Sequence, residues 1–491
     1  MRILNTDQLV SHGNTKGRQH MLQILEAGLA AADPYQNVTK LIRIEDDMLL
    51  IGNLDFEAYN DPQSGIEKYD LNQIKRIFVV GAGKGVQRAA KAFEEVLKDR
   101  LTGGELICKY GDELILEHIH VTYGAHPVPD DNCVAGSRKI LELADGITEN
   151  DLVITIIANG GSSLLTLPFD DIPLEDVKRI VRVMQIEKGV STTELNTIRN
   201  HIDQLKGGRI ARMFSPARMV HIIVVDANNH DLLGLQDYEY LVHKNRWLHN
   251  LPEGSTFSDA IAVLKHHDAW DICPPSIRQC LIQADPQRET VKYDEYKKMR
   301  FRIFGIMPRK CHFLEAAKQK AAGLGYRVGI LSENIQYEAS QMGYYAGSIA
   351  SNIEKSQEPL NPPIALFSTG EMRVTVDQYK GIGGRNQEFA LAAATVIKGC
   401  SNVVIASVDT DGTDGPGGLR IMGAPKCLAG GIVDGYTADE AKVQGINIQT
   451  ALKEHNVSEV LWRLGCGISS EQNISLNDLT VILIGNNDKA K

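Results

Sequence analysis

Short apolar runs alternate with amphipathic stretches along most of the 491 residues. In the first half, residues 77–80 lead into glycines and then into a helical pattern over 86–97. Residues 152–157 lead into Gly160-Gly161-Ser162-Ser163, and the run 221–225 ends in Asp226. Continuously apolar strands separated by helices predict a parallel sheet covered on both faces, with right-handed crossovers. The second half repeats the style without repeating the sequence. Residues 301–306, 328–331, 364–367, 373–376, 403–407 and 479–484 read as strands, and a helical pattern runs to residue 321. The stretch 282–296 is polar and without pattern, which predicts a crossing between two domains, 1–285 and 286–491. The expected fold class is α/β.

Composition narrows the function. The 52 basic and 62 acidic residues give a formal charge of −10, which argues against a dedicated nucleic-acid binder but leaves room for a local basic pocket. The eight cysteines include no C-x-x-C pair, and a chain this long needs no covalent staples, so free thiols in a reducing compartment are expected. The first twenty residues lack an apolar core, and no stretch approaches the ~20 apolar residues of a membrane span. The expectation is a cytoplasmic protein without a membrane partner.

Candidate chemistry gathers on the loops after the strands, where open α/β sheets bind ligands. Gly81-Ala-Gly83-Lys84-Gly85 is a strand-to-helix turn whose bared N–H groups and lysine suit an anion, or simply a tight turn with an exposed lysine. It does not complete a dinucleotide fingerprint, because residue 86 is valine and the next strand ends in Lys109 rather than an acid. Gly160, Gly161, Ser162 and Ser163 suit a phosphate or carboxylate, or plain helix capping. Residues 191–209 read as one helix opened by a Ser191/Glu194 capping box, striped with Leu195, Ile198, Ile202 and Leu205, and stopped at Gly207-Gly208. Asn196, Arg199, Asn200 and Lys206 lie off that stripe, on a binding face or a solvated one. In Gly381-Ile-Gly-Gly384-Arg385-Asn386-Gln-Glu388, three glycines precede an arginine whose planar fork can clamp phosphate or carboxylate oxygens. Asp409, Asp411 and Asp414 offer oxygen ligands for Mg²⁺, or solvated turn acids. His126, beside two prolines, reads as part of a rigid loop.

Taken in order, VVGAGKG, GAHPVPD, NGGSSLLTLP, LNTIRNHIDQLKGGR, STGE, GGRNQEFALAAA, DTDGTDGP and LNDLTVIL resemble the motif series of the glycerate 2-kinase family over roughly residues 15–485. The resemblance implies two α/β domains: a Rossmann-like N-terminal parallel sheet with helices on both faces, and a smaller C-terminal α/β domain of MOFRL type, with the active-site cleft between them. It implies ATP- and Mg²⁺-dependent phosphorylation of D-glycerate at its 2-hydroxyl. On the matching positions, Lys84, Arg385 and Asp226 carry the chemistry. Gly81, Gly83, Gly160, Gly161, Ser162, Ser163, Asn196, Arg199, Lys206, Gly384, Asn386 and Glu388 bind substrate or nucleotide, and Asp411 and Asp414 bind metal.

Four loops depart from the family pattern: the segment after Asp226, the turn that begins at Asn159, the stretch after Pro416, and residues 472–475. They open three alternatives. One is a kinase of a related hydroxy acid or sugar acid. Another is a nicotinamide-dependent hydroxypyruvate reductase. The third is a non-catalytic sugar-acid-binding protein. A small-molecule substrate is the expected partner in each case, and a homodimer is compatible with all of them.

Overall fold

In the computed structural model, residues 2–224, 237–306, 313–376, 381–473 and 477–486 are described. They divide into two compact units.

The first unit comprises the described residues of 34–306. Its six-stranded sheet runs in the order His120–Gly124, Gly103–Lys109, Arg76–Ala82, Asp151–Ile157, Arg218–Ile223, Arg300–Gly305. Every neighbouring pair is parallel. The chain winds outward from Arg76–Ala82 for three strands, then returns to Asp151–Ile157 and winds the other way. This is the doubly wound Rossmann order, and its switch point lies where Arg76–Ala82 and Asp151–Ile157 pair. Asp151–Ile157 is buried along its whole length, which accounts for its largely apolar pattern, and its buried Thr155 hydroxyl is hydrogen-bonded to His221 Nδ1 at 2.7 Å. A separate antiparallel sheet contains Ile42–Glu45, Met48–Ile51 and Glu67–Asp70.

The second unit comprises the described residues of 2–33 and 313–486. Its sheet order is Arg327–Ile335, Ile364–Gly370, Asp478–Ile484, Val403–Asp409, Gly430–Asp434, Gly467–Ile468. The first pairing is parallel and the other four are antiparallel, so the sheet is mixed. The helix Arg385–Val396 is buried from Asn386 through Ala394, and its alanines let Ala339–Ser356 pack closely. A Cβ at Gly343 would stand 2.2 Å from the Phe389 carbonyl oxygen.

These units differ from the division at 285/286. Residues 286–306 stay with the parallel sheet, because Arg300–Gly305 is its last strand and Val291 and Tyr296 are fully buried. The N-terminal helix Thr15–Ala31 instead packs beside Phe313–Gly323 and on Val403–Asp409. Fully buried Arg18 fixes it there, with Nε 2.6 Å from Asp434 Oδ2 and Nη1 donating to the Leu9 carbonyl at 3.1 Å. Two local expectations also change. Residues 373–376 form no strand; Arg373 makes one isolated bridge to Glu338. The helix opened by Ser191 ends at Asn200, because the Asp203 carboxylate organises the following turn. It accepts from the backbone N–H of Leu167, Leu205 and Lys206 at 2.9, 2.9 and 3.1 Å.

Seven cysteines among the described residues are free thiols, and none of the described helices is long and apolar enough to cross a membrane.

Candidate active site

The switch point of the parallel sheet holds the first cluster. The turn after Arg76–Ala82 is tied to the turn after Asp151–Ile157 by the Lys84 N–H, which donates to the Asn159 carbonyl at 2.8 Å. Close backbone approach explains the glycines. A Cβ at Gly81 would lie 2.0 Å from the Ile156 carbonyl oxygen, and one at Gly83, where φ is +141°, would lie 2.8 Å from that of Ala158. Gly81 and Gly83 therefore let two neighbouring strands meet. Gly160, at φ +85°, faces side chains: a Cβ there would stand 3.2 Å from His126 Cδ2 and 3.5 Å from Lys84 Cγ. Gly161 starts the one-turn helix Gly161–Leu164.

Around this turn the cations gather. His126 is exposed at the surface, yet crowding by protein atoms, followed by the charges of Lys84, Lys109 and Arg199, pushes its pKa down to about 4. Arg199 sits on the last turn of Thr192–Asn200 and is 5% exposed. Its guanidinium donates to Asn196 Oδ1 at 3.3 Å and Gln185 Oε1 at 3.2 Å, and meets no carboxylate among the described residues. Burial alone brings its pKa down to about 10. Asn196 Nδ2 donates to Ser162 Oγ at 3.0 Å, and buried His249 Nε2 lies 2.9 Å from the same oxygen. Burial holds His249 neutral, and its Nδ1 has no partner among the described residues. The off-stripe face of this helix is thus a buried polar face with excess positive charge, not a solvated one.

Two residues expected in this cluster are committed elsewhere. Ser163 Oγ donates to the Pro127 carbonyl. Lys206 Nζ, 2% exposed, donates to Asp203 Oδ2 at 2.5 Å and to Thr166 Oγ1 at 3.0 Å. Asp226 lies outside the described residues.

The second cluster belongs to the mixed-sheet unit. Arg385 opens the helix Arg385–Val396 directly after Gly384, but its planar fork is turned onto acids of this unit. Nε lies 2.9 Å from both oxygens of Asp478, Nη2 lies 2.7 Å from Asp409 Oδ2, and Nη1 is 3.7 Å from Glu371. Burial raises Asp478 to about 6 against the pull of Arg385. Burial and the neighbouring Asp411 raise Asp409 well above the carboxylate range. Asp414 is consumed in capping the helix: it accepts from the N–H groups of Asn386 and Gln387 at 3.2 and 3.0 Å and from both side-chain amides. A Cβ at Gly384 would strike Asp414 at 2.3 Å, so this glycine too serves packing. Asn386 bridges Asp414 and Asp478, and Glu388 turns to His455 Nδ1 at 2.7 Å.

The donor chemistry bears on the nucleotide and the metal. Lys84, Lys109 and Arg199 are all close enough to a neutral imidazole to depress its pKa, and such a gathering of cations suits phosphate or carboxylate oxygens. Asp409 and Asp411 offer the oxygen ligands that Mg²⁺ prefers, and Mg²⁺ needs one or two carboxylates when phosphates supply the rest. Asp414 has no such capacity left.

Lys109, His249 and Asp478, which the motifs do not single out, lie beside the candidate site residues, as does His126, which the sequence reads as part of a rigid loop. Each is unremarkable in its own stretch of sequence, and Lys109 was noted merely as the wrong residue for a dinucleotide site. A basic residue at a strand C-terminus one strand away from the glycine turn was the usable signal.

Comparison with known proteins agrees with this architecture. Residues 20–234 match a domain of unknown function, DUF4147, and residues 364–474 match the MOFRL family. The chain is 30% identical over 450 residues to a glycerate 2-kinase of Pyrococcus horikoshii, covering 91% of this chain and 92% of that protein. It is 32% identical over 413 residues to a D-glycerate 2-kinase of Thermotoga maritima, covering 84% and 91%. The crystal structure of a glycerate kinase from Thermotoga maritima superposes with a TM-score of 0.71 at 30% identity, covering 95% of this chain and 99% of that one. With both family domains in order and relatives aligned over nearly its whole length, the chain belongs to the glycerate 2-kinase family.

Proposed function

We propose that this protein transfers the γ-phosphoryl group of ATP to the 2-hydroxyl of D-glycerate, giving 2-phosphoglycerate. The relatives named glycerate 2-kinase support the activity. The observation that carries the substrate class is Arg199: a buried guanidinium without an acid partner among the described residues, beside Asn196 and Ser162 at the Rossmann switch point. A small carboxylate supplies the missing charge, and the Ser162–Asn196 pair offers hydrogen bonds to a hydroxyl.

In this reading Lys84 and Lys109 neutralise phosphate oxygens. His126, kept neutral among these cations, avoids adding repulsion and can accept a hydrogen bond. Asp409 and Asp411 would hold Mg²⁺, and the metal would supply charge neutralisation. Arg385 is assigned to hold Asp409 and Asp478 in place as well as to steady phosphate through its Nη1 edge. Asp226 is proposed to orient the attacking hydroxyl.

The test is ADP release from ATP and Mg²⁺ with D-glycerate, with the product identified by ³¹P NMR, beside a panel of related hydroxy acids and sugar acids. Production of 2-phosphoglycerate supports the assignment. Turnover confined to another acid moves the substrate, and silence across the panel from folded protein removes the kinase reading.

A further inference from the structure

Outside both clusters, three metal-binding side chains meet on the first unit. We propose that Glu194, His266 and His267 form a site for a divalent transition metal of the zinc class. One ligand atom from each lies within 4.8 Å of the other two, which makes this a ready-formed group of three such ligands among the described residues. The two imidazoles stand edge to face with centroids 4.8 Å apart, and His267 Nε2 is 3.1 Å from Glu194 Oε1.

The chemistry of the set selects the ion. Two imidazoles and one carboxylate suit Zn²⁺, Co²⁺, Ni²⁺ or Cu²⁺, whereas Mg²⁺ and Ca²⁺ prefer oxygen-rich shells. A tetrahedral ion would keep a fourth position for water, which the exposure of His266 permits.

The scaffold makes the set more than a chance surface meeting. Glu194 lies in the first turn of Thr192–Asn200, and its other oxygen is already fixed at 2.9 Å by the Ser191 hydroxyl. His266 ends the helix Phe257–His266 and His267 caps it. The two helices are locked together by buried Leu195, Ile198, Phe257, Ala260 and Leu264 in one apolar cluster, and by the His201–Phe257 edge contact at 4.8 Å. Glu194 and His266 therefore stand on helices and His267 directly follows one, so ordering them for a metal costs little. A bound ion would staple the first turn of the helix whose last turn carries Arg199, five residues along.

The experiment is calorimetric titration of the full-length, EDTA-treated protein with Zn²⁺, with Co²⁺ absorption as a second readout. The expected result is one tight equivalent, a tetrahedral Co²⁺ spectrum, and a Tm rise on the order of 2 °C at saturating metal. Affinity should fall at least tenfold in His266→Ala and in Glu194→Gln. The second variant keeps the shape of the side chain should the first fold poorly. Millimolar Mg²⁺ should not compete. Absence of the tight equivalent, or unchanged affinity in both folded variants, overturns the proposal. Neither readout depends on turnover, so the result stands apart from the kinase assignment.

Discussion

Arg199 offers the sharpest test, because stability and binding should move in opposite directions. The Arg199→Met substitution keeps much of the side-chain volume and removes the charge. Burial brings the arginine from its ordinary value down to about 10. At ~1.4 kcal/mol per pKa unit, confining this charge costs the folded state about 3 kcal/mol. At neutral pH the group is protonated both folded and unfolded, so the cost is present in full and would be relieved only above about pH 10. Its hydrogen bonds to Asn196 and Gln185 return about 1 kcal/mol each. The variant should therefore be as stable as the parent or more stable by about 1 kcal/mol, a Tm rise of up to ~4 °C. D-glycerate should raise the Tm of the parent and leave that of the variant unmoved, and KM for the acid should rise at least tenfold. Thermal melts with and without D-glycerate, together with initial rates, read both effects. A variant that melts more than about 5 °C lower and keeps its KM would show that Arg199 is a structural residue and that the charge argument is wrong.

Arg385→Met should do the reverse to stability. It strands buried Asp409 and Asp478 and should cost about 3–5 kcal/mol, read as a lower Tm, together with loss of turnover. Asp478 adds a pH signature. Its folded pKa, about 6, is raised above the unfolded value, so its contribution is full below the unfolded pKa and is lost as pH rises toward 6; melts across pH 4–7 should show this loss. His126 should titrate near pH 4 by NMR of labelled histidine, and shift upward in Lys84→Met or on binding ATP, since both remove repelling charge. Gly83→Ala should lower the Tm through about 1–3 kcal/mol of overpacking against Ala158 plus backbone strain at its positive φ.

The parallel sheet was legible because buried strands must be apolar throughout and glycines must follow them where strand ends crowd. Ser191, Asn196 and Arg199 were legible because a capping box fixes where a helix starts and hence which face each residue takes. The domain limits were not. Residues 282–296 look like a linker because they are polar, yet buried contacts of Val291 and Tyr296 hold them inside the first unit. The metal role expected of Asp414 failed to anticipate that helix Arg385–Val396 would turn its first N–H groups onto that carboxylate.

The sequence by itself determined the fold class, the places of the glycine turns and the family, since periodicity, glycine placement and motif order are local properties. Only the tertiary structure decided which charges are paired and which are left over. Lys206 and Arg385 meet acids, while Arg199 meets amides alone among the described residues. Sequence spacing cannot separate these cases, because the energy of a buried charge depends on neighbours brought from distant segments and on the water those neighbours exclude.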